Sequence, residues 1–255
     1  MNAILADIPS WFVVLILAVV MLSMWGAGWR LGTRLRLGDG REAGSKFDDA
    51  SLALLGLLLA FTFGMSIAKH DHRREMVVAD SNSIGDFYTC ASLLKEPMRS
   101  KLQTTIRQYL ELRVEFVQSR KNAAALEVAV QRSQLLQSQM TELVAQAVVD
   151  GTPIALSLTN TLNALISSHA SRLAAARDRL PASILLLLFV TAVMSTMLVG
   201  REQGVVGRPE IGSTLVFILL VTLSVYVTLD LNQPQGGTIV VDQTPMQELL
   251  STLNK

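Results

Sequence analysis

Seven residues in a row, Lys69-His70-Asp71-His72-Arg73-Arg74-Glu75, bring together the side chains best suited to chemistry in this sequence. Two of the three histidines lie here, so a metal site is the first idea to test. Residues two apart on a helix do not face each other, which separates His70 from His72. His169 belongs to a helix end about 18 Å further from the apolar blocks by helical rise. The three are therefore not expected to converge, and no metal or other cofactor is expected. Cys90 is the single cysteine, which excludes an internal disulfide and a cysteine-based metal cluster. No Walker loop, dinucleotide fingerprint, zinc-protease helix or serine-hydrolase elbow occurs, so no catalytic residue is assigned and an enzyme is not expected.

What remains is electrostatic. Lys69, Arg73 and Arg74 can meet lipid headgroups and solvent, as snorkelling basic side chains do, or attract anions to a channel mouth. They follow an apolar run that contains Phe61 and Phe63, and apolar rings can gate water and ions by dewetting. In the same run Gly56, Ala60, Gly64 and Ala68 recur every fourth residue and share one helix face. Such a face lets another helix approach closely, either inside the chain or from a second copy. Further on, Asp80, Ser81, Asn82 and Ser83 form a polar patch. It reads as a solvated helix face, with side-chain bonds to a neighbouring helix as the alternative.

The elements carrying these residues follow from hydropathy. Half of the residues are hydrophobic, 17% are charged, and the mean hydropathy is +0.40. The apolar residues gather into four blocks without formal charge: Ile8 to Trp29, Ala50 to Ala68, Pro181 to Gly200 and Ile211 to Leu229. A helix of about 20 residues spans the roughly 30 Å of a bilayer core. The first block has no basic start and is too long for an ordinary signal peptide, so it reads as a retained span. Trp25, Trp29 and Arg30 close it as interface anchors. The net charge of +1 comes without a recognisable basic module, and nucleic acid is not expected as a partner.

The fold class is therefore all-α: a polytopic membrane protein with four transmembrane helices and a helical extramembrane insertion between the second and third. A first hairpin covers 8–68, with spans near 8–28 and 50–68. The insertion covers 69–180. A second hairpin covers 181–229, with spans near 182–200 and 211–229, and a tail covers 230–255. Within the insertion a weak point is expected at Gly85 and a break near Pro97. Leu102, Ile106, Tyr109, Leu110, Arg113, Phe116 and Val117 mark one apolar stripe with a single polar interruption. Leu135, Leu136, Met140, Leu143, Val144 and Ala147 mark a second, ended by Asp150-Gly151-Thr152-Pro153. Leu158, Leu162, Leu165, Ile166 and Leu173 mark a third. TPMQELLSTLNK suggests a short amphipathic helix in the tail.

Four spans put both termini and the insertion on one side. Basic residues near the spans divide almost evenly between the two sides, so charge does not orient the protein.

Four stretches resemble a widespread bacterial bestrophin-like membrane family: LLGLLLAFTFGMSIAKHDHRREMVVADSNSIG, LLKEPMRSKLQTTIRQYLELR, RLPASILLLLFVTAVMSTMLVG and DLNQPQGGTIVVDQTPMQEL. The resemblance to true bestrophins, which are pentameric anion channels with a second membrane helix lining the neck, is more remote. It implies a homo-oligomer in membrane lipid, in the bacterial inner membrane, with termini and 69–180 cytoplasmic. It also implies a pore lined by the second helix, with Phe61 and Phe63 as constriction and Lys69, Arg73 and Arg74 at the mouth. SIAKHDHRRE departs from the bacterial channel pattern, which has a tyrosine and tryptophans near its basic cluster. The acidic calcium-binding segment of animal bestrophins is absent too. Both departures leave anion selectivity unsupported. The competing reading is a membrane-anchored structural or signalling module whose insertion, 69–180, binds a protein partner.

Overall fold

The computed structural model describes residues 9–36, 46–118, 123–233 and 237–254. These form helices and turns, with no strand among the described residues. The helices are α1 (Ser10–Arg36), α2 (Lys46–Ser92), α3 (Met98–Gln118), α4 (Ala123–Val149), α5 (Ala155–Arg177), α6 (Ala182–Val206), α7 (Ile211–Asn232) and α8 (Thr244–Leu253). Four stretches are long and apolar enough to cross a membrane, lying within Ser10–Leu35, Asp48–Ser92, Ala155–Val206 and Ile211–Asn232. The all-α, four-span reading therefore holds.

The chain divides into two compact units, Met1–Lys69 with Arg179–Ile239, and His70–Asp178 with Val240–Lys255. The weak point expected at Gly85 does not interrupt the helix. A single 47-residue helix, α2, runs through it, and the glycine leaves room for Leu249 Cδ1, 3.5 Å from where a Cβ would sit. The break near Pro97 does occur, between α2 and α3.

The first unit holds the apolar blocks. Its core contains Leu17, Met21, Leu55, Leu188, Ala192, Ile218, Val221 and Val225. Many other apolar side chains on the same helices face outward, among them Leu57, Leu186 and Leu219. That inversion suits hydrocarbon as the surrounding medium. The tightest packing is between α1 and α6. A Cβ on Gly28 would lie 2.1 Å from the Met197 carbonyl oxygen, and one on Gly32 at the same distance from that of Arg201. From the other side, a Cβ on Gly200 would run into the Trp25 carbonyl oxygen, and one on Gly204 would lie 2.5 Å from that of Trp29. Contacts advance together along both helices, so α1 and α6 run parallel. Two glycine pairs spaced by four are thus pressed face to face, the close approach that membrane helices reach through small residues.

Polar bonds complete the end of this unit. Trp25 Nε1 donates to Gln203 Oε1 at 3.0 Å, and Gln203 Nε2 donates to Thr214 Oγ1 at 3.0 Å. Arg201 pairs with Asp48, in the first turn of α2, at 3.0 Å. That carboxylate also suits the positive end of the helix dipole. Gly207, at φ 78°, ends α6 in a left-handed turn.

The second unit has its own core, in which Ile84, Phe87, Leu102, Ile106, Tyr109, Leu110, Met140, Leu158 and Leu165 are completely buried. The stripe read on α3 lies inside as far as its side chains are described, since those of Phe116 and Val117 lie outside the described residues. On α4 the stripe is right except at Leu135, which is 64% exposed. The tail is not a separate appendage. Val241 and Met246 are buried in this core, and Leu249, Leu250 and Leu253 pack against it.

The α1–α6 contact makes the first prediction. Gly200→Val should lower the thermal midpoint in detergent sharply, since the added atoms meet backbone and overpacking of this kind costs about 1–3 kcal/mol or more. Gly212→Ala should leave the midpoint nearly unchanged, because nothing lies within 4 Å of that position. A Gly200→Val protein with unchanged midpoint would contradict the close-packed register.

Candidate functional site

On α2 the side chains expected to form a pore stand outside the core. Phe61 is 62% exposed and Phe63 is 38% exposed. Gly56, Ala60, Gly64 and Ala68 are exposed as well, and among the described residues none lies within 4 Å of a Cβ placed on Gly56 or Gly64. Among the described residues, then, the small-residue face forms no seam inside the chain. The inward face of α2 carries Leu55, Thr62 and Ser66 instead, and Ser66 Oγ donates to the Thr228 carbonyl at 3.2 Å. Helix geometry separates the two phenylalanines. At about 100° per residue they project about 160° apart, whereas Arg74, about three turns beyond Phe63, returns to within about 20° of it.

The basic trio divides. Arg74 is exposed and Lys69 half-buried. Arg73 is buried, which corrects its reading as a residue of an open mouth. Its Nε donates to the Ala175 carbonyl at 3.2 Å and its Nη2 to the Asp178 carbonyl at 2.7 Å. These are carbonyls at the C-terminal end of α5, where a cation is favoured by the helix dipole. His72 pairs weakly with Glu75 at 3.8 Å on the surface. Among the described residues no group of side chains is arranged to hold a metal.

Seven residues beyond Arg73 lies the most concentrated electrostatic feature. Asp80 is completely buried, with Ser81 and Ser83 nearly so, while Asn82 is exposed. The polar patch is thus an interior face of the insertion for three of its four members, not a solvated one. Asp80 Oδ2 accepts from Arg113 Nη2 on α3 and from Arg172 Nη1 on α5, the latter at 2.7 Å. Oδ1 accepts from Ser168 Oγ at 3.2 Å, and Ser168 lies 2.7 Å from Ser83 Oγ. Arg172 Nη2 donates to Gln243 Oε1 at 2.6 Å, which brings in the segment before α8. Ser81 Oγ donates to the Pro245 carbonyl at 3.0 Å. One carboxylate thus ties three helices and the tail.

Burial pushes the Asp80 carboxyl up, but the charges and hydrogen bonds of Arg113 and Arg172 outweigh it and hold the group below its ordinary range. His169 moves the other way from a free imidazole. Burial first, then the Arg113 charge, lowers it from 6.5 to about 4. Burial also raises the Tyr109 phenol, whose oxygen accepts from Gln137 Nε2 at 3.3 Å.

The motif DLNQPQGG also gains a structural role. The Asp230 carboxylate accepts from Thr238 N at 2.9 Å, Thr238 Oγ1 at 2.8 Å and Ile239 N at 2.8 Å, turning the chain back after α7. Gly237 is needed there, since a Cβ would lie 2.7 Å from the Asp230 carbonyl oxygen. Asn232 Oδ1 accepts from Leu180 N at 2.7 Å and ties this end to the start of α6. By sequence this stretch reads only as a flexible turn. The signal was a carboxylate and an amide two residues apart before a glycine pair.

Two predictions follow from the charge cluster. Asp80→Asn should destabilise the protein by about 3–5 kcal/mol, the range for removing one partner of a buried ion pair. Chemical denaturation in detergent measures it, and a change under about 1 kcal/mol would show that the pairing is dispensable. For His169 the unfolded chain binds more protons than the folded one between pH 6.5 and about 4. Its contribution should be complete above pH 6.5 and fall away as the pH drops towards 4. His169→Phe should flatten that part of the stability profile.

Comparison with known proteins gives three findings. The profile of the bestrophin-like domain matches residues 48–246. A crystal structure of a bacterial bestrophin homologue from Klebsiella pneumoniae, carrying a tyrosine-to-alanine substitution, is similar in fold. The TM-score is 0.69 at 15% identity, over 95% of this chain and 99% of that one. A second membrane protein, carrying a proline-to-alanine substitution, is similar with a TM-score of 0.59 at 13% identity, over 96% of this chain and 95% of that one. Comparison with curated protein sequences gives no match.

Proposed function

The chain belongs to the bestrophin-like family, and from that premise we propose that it works as a channel-like homo-oligomer in which α2 of several copies surrounds a path for ions. The observation carrying this reading is the outer face of α2. Phe63, Ile67 and Arg74 fall on one side of a continuous helix, all exposed in the single chain. An apolar ring followed by a basic one is the order that a dewetting constriction with a cation-lined mouth requires. Phe63 is the constriction on this assignment, and Arg74 the mouth residue. Phe61, about 160° away, contacts lipid or a neighbouring copy, as do Gly56, Ala60, Gly64 and Ala68 where copies meet. Lys69 sits off the Phe63 face and contributes charge near the mouth. The bacterial inner membrane, with termini and insertion cytoplasmic, completes the proposal.

A second reading has its own support. Val149 and Leu156, beside the α4–α5 turn, are 86% and 75% exposed, outside the four apolar blocks. A membrane-anchored module that binds a protein partner through the insertion would use such residues.

Purified oligomer in liposomes separates the two. Ion flux should be measurable, Phe63→Ala should change it several-fold, and Phe61→Ala should change it far less. Liposomes that stay silent with folded, oligomeric protein would remove the channel reading. An equal effect of the two substitutions would remove the assignment of faces.

A further inference from the structure

The outer side of α1 changes from hydrocarbon to cation along a single line. Opposite the buried Leu17, Met21, Gly28 and Gly32, the helix presents Phe12, Ile16, Val19, Ser23, Arg30 and Arg34, all exposed in the single chain. At about 100° per residue these six fall within about 60° of one another. Ser23 Oγ donates back to the Val19 carbonyl at 2.8 Å, so its hydroxyl shows no unmet donor to lipid.

Depth decides what the two arginines meet. The charge-free block from Ile8 to Trp29 is about 33 Å long as a helix, slightly more than the hydrocarbon core of a bilayer. Arg30 is the first charge past that core, and Arg34 stands about 6 Å further along the axis. Both fall in the headgroup layer, which adds about 5–8 Å on each side. Trp25 and Trp29, half-buried just before them, mark the same boundary.

The pair has a chemical preference too. Like charges four apart on one helix face repel, and α1 contains no acidic residue of its own to separate them. Guanidiniums grip phosphate oxygens through parallel N–H donors, and a phosphate held by both turns the repulsion into attraction. A second copy laid on this face would have to bring its own carboxylates. It would also meet Phe12, Ile16 and Val19 in place of the small residues that let membrane helices close up.

We propose that the outer face of α1 holds one anionic phospholipid, with its phosphate between the Arg30 and Arg34 guanidiniums and an acyl chain along Phe12, Ile16 and Val19. A zwitterionic headgroup would carry an ammonium to the same two cations, so a lipid of net negative charge is selected. The site lies within the first unit. It rests on the reading of α1 as a membrane span and not on conduction by α2.

The experiment follows the thermal midpoint of the full chain in detergent micelles as phosphatidylglycerol, phosphatidylcholine or soluble glycerol phosphate is added. Phosphatidylglycerol should raise the midpoint by roughly 2–4 °C and then level off, and the other two should have less than about half that effect. Joint Arg30→Gln and Arg34→Gln substitution should remove the rise. Arg208→Gln, at an exposed position in the other short link, should keep it. If the double variant does not fold, each single substitution takes its place and should raise the half-saturating lipid fraction several-fold. Equal midpoints with the two lipids would overturn the proposal. So would an equal rise with glycerol phosphate, which would make the ligand a free anion, or a rise that survives unchanged in the variants, which would place the lipid elsewhere.

Discussion

A carboxylate with no exposed surface, held between two arginines from different helices, governs the insertion. An isolated charge at Asp80 would be very costly to bury. Arg113 and Arg172 offset that cost only in one arrangement of α2, α3 and α5. The apolar contacts around it are less selective, because hydrophobic burial has no direction. Leu102, Ile106 and Leu165 require an interior, whereas the pairing at Asp80 requires a register. Gln243 extends the register to the tail through Arg172, which explains why a segment remote in sequence belongs to this core.

The first unit is specified in another way. Between helices in lipid there is little hydrophobic gain, since the tails are as apolar as leucine. Close backbone approach and shared hydrogen bonds take over. Gly28, Gly32, Gly200 and Gly204 supply the approach, and Trp25, Gln203 and Thr214 supply the bonds. Buried hydroxyls such as Thr62, Thr222 and Thr228 return to carbonyls of their own helices, so they sit inside the unit without an unmet donor.

The sequence announces the spans because a bilayer demands length and absence of charge, and both are readable without partners. Helix ends were nearly as plain, since Gly151 follows the end of α4 and Pro181 opens α6 by local geometry. The packed faces were harder to assign. Two glycine pairs at a spacing of four were present in α1 and α6, yet Gly56, Ala60, Gly64 and Ala68 in α2 showed the same spacing and turned out open. Spacing says that a face is smooth, not which neighbour uses it. At Asp80 the alternative of bonds to neighbouring helices holds over the solvated face, and the sequence could not choose between them for a related reason. Asp, Ser, Asn and Ser are polar by composition, and burial came from arginines about thirty and ninety positions away, which only a folded chain brings close. Arg73 was misread in the same way, its partners being the carbonyls at the end of α5.

The inward positions of α2 form one stripe. Leu55, Thr62, Ser66, Arg73, Val77, Asp80, Ile84 and Phe87 are all buried, and they follow at intervals of three, four or seven. Those intervals keep to one side of a helix over its whole length. What the stripe touches changes from apolar side chains and hydroxyls to carbonyls and then guanidiniums, while the side of the helix stays the same. Arg73 goes in, while Arg74, the next residue and about 100° further round, stays out. Ser66 goes in, so Phe63 and Ile67 lie towards the same flank as Arg74. Within each unit the positions of α2 taken into the core decide which of its residues stay outside, and in the insertion the most demanding of them is Asp80.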